Sequence, residues 1–116
     1  MAKCDEGYRC DVCGGDVTSI VDSDLYLRFV AGLIPAEELH LHPERHLRCN
    51  AVLSQYIEDP RFEPVFVEGD FDRRLMDFNQ VQDSVRLFTQ AYRRLWEILE
   101  TPIRDITQYP LSTHEA

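Results

Sequence analysis

A chain of 116 residues, 44% hydrophobic and 28% charged, has the size and composition of one globular domain (residues 1–116) with a modest core. Its net charge of −9 is shared by both parts, eleven acids against five bases before Arg61 and ten against seven from Arg61 onward. Duplex DNA and anionic lipid are therefore poor partners, and no apolar run approaches the roughly 20 residues that a membrane span requires.

Residues 1–8 are short and polar, and the first fifteen residues carry Asp5, Glu6 and Asp11 where the apolar stretch of a secretory signal would lie. The expected compartment is the cytoplasm, where cysteines remain thiols and serve more readily as metal ligands than as disulfides. Tyr8 to Gly15 holds Cys10-Asp11-Val12-Cys13-Gly14, a knuckle whose glycines supply the positive φ of a loop wrapped around a metal. Asp16–Val21 reads as a strand, Asp22-Ser23-Asp24 as a turn and Leu25–Val30 as the returning strand of a hairpin. Gly32 and Pro35 punctuate, and Ala36–Leu41 fits either a helical turn or a loop.

His42-Pro43-Glu44-Arg45 has the composition of a helix start, with proline in the first turn and an acid near the positive end of the dipole. That helix is expected to reach about Glu58, with Leu47, Val52, Leu53, Tyr56 and Ile57 on its apolar side, before Asp59-Pro60 stops it. Phe62–Glu68 reads as a strand or extended edge segment, and residues 71–77 are ambiguous. From about Phe78 to Glu100, the apolar positions Val81, Val85, Phe88, Tyr92, Leu95 and Leu99 recur at steps of four and three, which predicts a long amphipathic helix. Thr101-Pro102 ends it, and 103–116 forms a tail with a mobile end.

Cys10 and Cys13 form one ligand pair, and His46 and Cys49 a second, so that a single tetrahedral zinc ion can take all four. Three thiolates favour zinc over magnesium or calcium, and iron–sulfur clusters usually take four thiolates. A fourth sulfur would have to be Cys4, on the N-terminal arm. His40 and His42 are the rivals of His46, or groups hydrogen-bonded to the thiolates; His114 carries no assignment. The knuckle, the expected hairpin and His46-x2-Cys49 opening a helix resemble the treble-clef zinc-finger group over roughly residues 8–58. The resemblance implies one structural zinc tying hairpin to helix. Ligand types and spacing are also similar to the poly(ADP-ribose) polymerase-type finger and, less closely, to the first half of a LIM domain. Here the segment is acidic where the former grips DNA, and no cysteine follows Cys49 to begin the second metal set of the latter.

The expected fold class is α+β: a zinc-stabilised unit at 8–58, then an extended strand and a long helix over 59–102. A site filled by four protein ligands has no position for substrate, which implies one structural Zn2+ per chain, no catalytic residues and a protein-interaction module. The long helix would complete the core or present a protein-partner or homodimer surface. One alternative is a zinc hydrolase or deaminase that uses Glu44 beside His42 or His46. Against it, Pro43 stands where a zincin has its glutamate, and His42-Pro43-Glu44 follows the cysteine pair that it would precede in a deaminase. Another alternative is nucleic-acid binding through Arg73, Arg74, Arg93 and Arg94, although Asp77, Asp83, Glu97 and Glu100 are interleaved with them. Asp70, Asp72 and Asp77 read as a solvated acidic stretch.

Overall fold

The structure is a computed structural model that describes residues 8–100 and 109–111. Cys4, His114 and most of the C-terminal tail lie outside the described residues. Two short strands, β1 (Tyr8–Arg9) and β2 (Asp16–Val17), flank the knuckle and pair antiparallel, with Arg9 opposite Asp16. The remainder of the described chain is helical or irregular, and its main elements are α1 (Asp24–Val30), α2 (Ala51–Ser54) and α3 (Phe78–Glu100).

Leu25–Val30 is helix, not the returning strand of a hairpin, and the strand expected from Asp16 stops at Val17. Asp22-Ser23-Asp24 does reverse the chain, but Ser23 acts as a helix N-cap whose hydroxyl accepts from the Tyr26 amide at 3.0 Å. Leu25, Tyr26, Leu27, Phe29 and Val30 are all buried, so α1 is apolar around most of its circumference. A short helix buried on nearly every side presents no strip of surface residues to betray its period. Its end is a Schellman motif: Gly32 at φ 88° donates to the Phe29 carbonyl, and Leu33 donates to that of Arg28.

Ala36–Leu41 forms a 3-10 helix. The single helix expected from His42 to Glu58 is broken into a 3-10 turn at Leu47–Cys49 and the four-residue α2. Asn50 interrupts it at φ −108°, ψ 70°, where its side-chain amide donates to the buried Asp24 carboxylate at 2.9 Å. Phe62–Glu68 forms no ladder, because the segment expected to supply neighbouring strands is α1. The ambiguous stretch before α3 contains a 3-10 turn at Arg73–Leu75.

The long helix occupies the expected residues, and its first turn is capped by Asp77, whose carboxylate accepts from the Gln80 amide. Val81, Thr89, Ala91, Tyr92, Leu95 and Ile98 are buried; Ile98, not Leu99, faces inward at the C-terminal end. Leu95 of α3 and Leu27 of α1 are fully buried members of one cluster that also takes in Leu47, Ile57 and Phe62. Residues 109–111 dock on this core. The Leu111 amide donates to the Val30 carbonyl, and the Tyr109 ring tilts against Tyr26 and Phe29. No helix among the described residues is long and apolar enough to cross a membrane.

Candidate metal centre

Cys10, Cys13, His46 and Cys49 converge. One ligand atom from each lies within 4.8 Å of all the others, so this group is able to hold a metal ion. The His46 Nδ1 is 3.3 Å from the Cys13 Sγ and 3.8 Å from the Cys49 Sγ. A tetrahedral zinc ion with bonds of about 2.0–2.3 Å separates its ligand atoms by roughly 3.5–3.8 Å. The two separations from His46 are close to these values, and all four ligand atoms fall within 4.8 Å of one another.

The knuckle is built by backbone geometry. Gly14 takes φ 77° and donates to the Cys10 carbonyl, while the Cys10 amide donates to the Gly15 carbonyl. This loop turns its amides towards sulfur: Val12 and Cys13 donate to the Cys10 Sγ at 3.4 and 3.5 Å, and Gly15 to the Cys13 Sγ at 3.5 Å. The His46 amide adds a donor to Cys10 from the other segment, at 3.4 Å. Such donors stabilise thiolate over thiol.

Residues 44–46 are clamped on both sides. The Asp11 amide donates to the Glu44 carbonyl, and the Asp24 amide donates to the Arg45 carbonyl, forming an isolated antiparallel bridge between Ser23 and His46. His46 is then oriented through its other nitrogen. Its Nε2 lies 2.8 Å from the Asp16 carbonyl oxygen, which only accepts, so Nε2 carries the hydrogen and Nδ1 faces the sulfurs. His40 and His42 are not part of the cluster; His42 instead approaches Glu38 at 3.5 Å.

The electrostatics of the metal-free group follow from these contacts. Burial pushes the Cys10 thiol up, but the amides of Cys13, His46 and Val12, together with Cys49, outweigh it and hold the group at about 6. Burial and then hydrogen bonding to the Cys10 and Cys13 sulfurs push Cys49 to about 12. The Asp16 carbonyl leads the rise of His46 to about 9. The cluster therefore contains sulfur already disposed to ionise beside groups that a metal must deprotonate.

Glu44 has a different task from the one its sequence neighbourhood suggests. Its carboxylate accepts from the Ser23 hydroxyl at 2.8 Å, the Arg45 amide at 3.0 Å and the Leu25 amide at 3.4 Å. It is buried and serves the N-terminus of α1, where an acid also suits the helix dipole. Burial raises its pKa against these three hydrogen-bonding partners. This Ser–Glu cap is the site feature that sequence reasoning missed. Its partners are 21 residues apart, and Asp22-Ser23-Asp24 read as a turn, so the one local signal was the general preference of serine for helix N-caps.

Compared with family models, curated proteins and solved structures, the chain matches none.

Proposed function

We propose that Cys10, Cys13, His46 and Cys49 hold one structural zinc ion, and that the chain is a small, non-enzymatic protein-interaction module of the cytoplasm. The observation that carries this reading is the closed donor set: three sulfurs and the Nδ1 of His46, with every ligand atom within 4.8 Å of the others. Three thiolates and an imidazole are donors that zinc prefers, and four protein ligands fill its tetrahedron. A reducing compartment keeps the sulfurs available. The order of a knuckle followed by a ligand pair that leads into a helical turn supports a treble-clef-like relationship, with α1 inserted where that group has a hairpin strand.

Two competing readings have weaker support. A hydrolase or deaminase would need Glu44 free beside an open metal position, whereas its carboxylate is buried against Ser23, Leu25 and Arg45. A nucleic-acid surface would need free arginines, whereas Arg73 pairs with Glu58, Arg74 with Asp72, Arg93 with Asp59 and Arg94 with Glu97. The apolar side of α3 packs into the core, which leaves its outer face polar and places Phe78 and Leu99 as exposed apolar residues near its ends.

The test is metal analysis of purified protein followed by cobalt substitution. One zinc per chain, with the intense visible bands of tetrahedral thiolate-bound cobalt, is the expected result. A metal-free but fully folded protein, or cobalt spectra showing a bound water, would refute the structural assignment.

A further inference from the structure

The segment that leads from the core into α3 carries four of the five most exposed large apolar side chains among the described residues. Phe66 is 86% exposed, and Phe71, Leu75 and Phe78 follow it at 60–74%. Phe66 borders an open groove of about 420 Å³, lined in part by Ile57, Phe62, Val65 and Val67. An exposed apolar patch with a groove at its edge marks a contact surface.

The backbone and charges specify the occupant. Residues 63–68 contain no helix, turn or ladder. The amides of Val65, Phe66, Val67 and Glu68 donate to nothing among the described residues. This is a run of main-chain groups open to pairing, which favours an extended peptide over a helix. Of the nearby bases, Arg73 pairs with Glu58 and Arg74 with Asp72, while Arg48 lies over the Phe62 ring and donates to the Glu63 carbonyl. Glu63 and Glu68, which bracket Pro64–Val67, and Asp70 beyond them have no ion-pair partner among the described residues. A second copy of the chain is disfavoured: antiparallel self-pairing would oppose Glu63 and Glu68, in molecules that each carry −9.

We infer that residues 63–68 are a docking edge for an extended segment of another protein, with alternating apolar residues for the groove and Lys or Arg at the positions facing Glu63 and Glu68. The inference rests on the interaction-module reading and supplies its surface and the chemistry of its partner. Main-chain bonds to the free amides provide affinity, the groove takes alternate side chains, and the acidic bracket selects basic flanks.

The experiment uses the full chain loaded with zinc and three synthetic peptides of alternating valine and threonine, flanked by lysines, serines or glutamates. Fluorescence anisotropy at low salt is expected to rank lysine above serine above glutamate. At least about a tenfold gap should separate the extremes and shrink as salt rises. N-methylation of alternate peptide amides should abolish binding on the strand-pairing face. Phe66→Ser should weaken binding at least about tenfold with an unchanged thermal melt, because its ring lies outside the core. Absence of binding, indifference to flank charge, or full binding by the N-methylated peptide would overturn the inference. So would light scattering that shows a dimer lost in F66S, since a second copy would then occupy the edge. Zinc content measured on the same sample separates the two ideas, because a metal-free folded chain counts against the structural zinc, whereas a zinc-loaded chain that ignores the peptides counts against the docking edge alone.

Discussion

Two regions of the molecule are held by different forces. Around the knuckle and residues 44–49, most contacts are polar: amides on sulfur, an imidazole on a carbonyl, and Glu44 on the cap of α1, with Leu47 alone entering the apolar cluster from 44–49. Between α1 and α3 they are apolar, with Leu27, Ala91 and Leu95 completely buried. The first region has two strands of two residues each and little core of its own, the situation in which metal substitutes for apolar burial. The second has a 23-residue helix and ordinary packing. They meet at Ser23, which caps α1, binds Glu44 and bridges to His46, and at Leu47, which enters the apolar cluster, so the knuckle region and the helical core are joined by a polar hinge and an apolar contact.

Removing a ligand is the strongest way to break this comparison. Cys49→Ser or Cys13→Ser should reduce zinc from one per chain to near zero and unfold the knuckle, because structural zinc contributes on the order of 10 kcal/mol in isolated fingers. Hydrogen exchange should then lose protection at 8–24 and 44–54 before α3. Uniform loss along the chain would show that the two regions are one cooperative unit; unchanged protection would remove the metal from the account. Next in size is the opposite perturbation, Leu95→Ala in the apolar region, expected to cost about 3 kcal/mol in urea melts while native protein still carries zinc. A fall in zinc content of the folded variant would contradict the division.

The hinge is tested by Glu44→Ala. This leaves the Ser23 hydroxyl and the Leu25 and Arg45 amides without their acceptor, at a cost of about 2 kcal/mol. Its signature is an effect on both regions: a lower melting temperature together with faster zinc loss to a chelator. Stability equal to that of the parent would deny the cap and leave Leu47 as the contact that joins the regions.

The two regions were also unequally legible in the sequence. The four clustered residues were readable because ligand type and short spacing are local properties: Cys10 lies three residues from Cys13, and His46 three from Cys49. The long helix was readable because its apolar period repeats over 23 residues and its first turn begins beside Asp77. α1 was not readable. Leu-Tyr-Leu-Arg-Phe-Val suits a strand, and the helix is decided by burial on all sides but that of Arg28 and by a cap completed by Glu44, 21 residues from Ser23. The break at Asn50 was hidden for the same reason, since it depends on a hydrogen bond to Asp24. Once α1 was helical, Phe62–Glu68 had no neighbouring strand in the places where sequence pattern had put one.

The smallest expected effect concerns the helical region alone. Asp59 is buried and accepts from Arg61 and Arg93, and these partners, Arg61 first, hold its carboxyl at about 2 instead of the ordinary 3.8. A depressed folded-state pKa means that the unfolded chain binds the proton more readily. The stabilisation is therefore fully present above about pH 4 and is lost as pH falls towards 2. Both arginine side chains are partly solvent-exposed, at 41% and 57%, so solvent screening reduces the contribution to about 1 kcal/mol. Asp59→Asn should lower stability by that amount at pH 6 and bring parent and variant closer together at pH 2.5. Acid also strips metal from thiolates, but it does so in both chains, so the difference between their urea midpoints isolates Asp59. If that difference stays constant across the range, the carboxylate is not ionised against its arginines, and packing alone accounts for the residue. If it shrinks as expected while zinc release follows the same pH curve in both proteins, the ion pair belongs to the core and the metal region titrates independently of it.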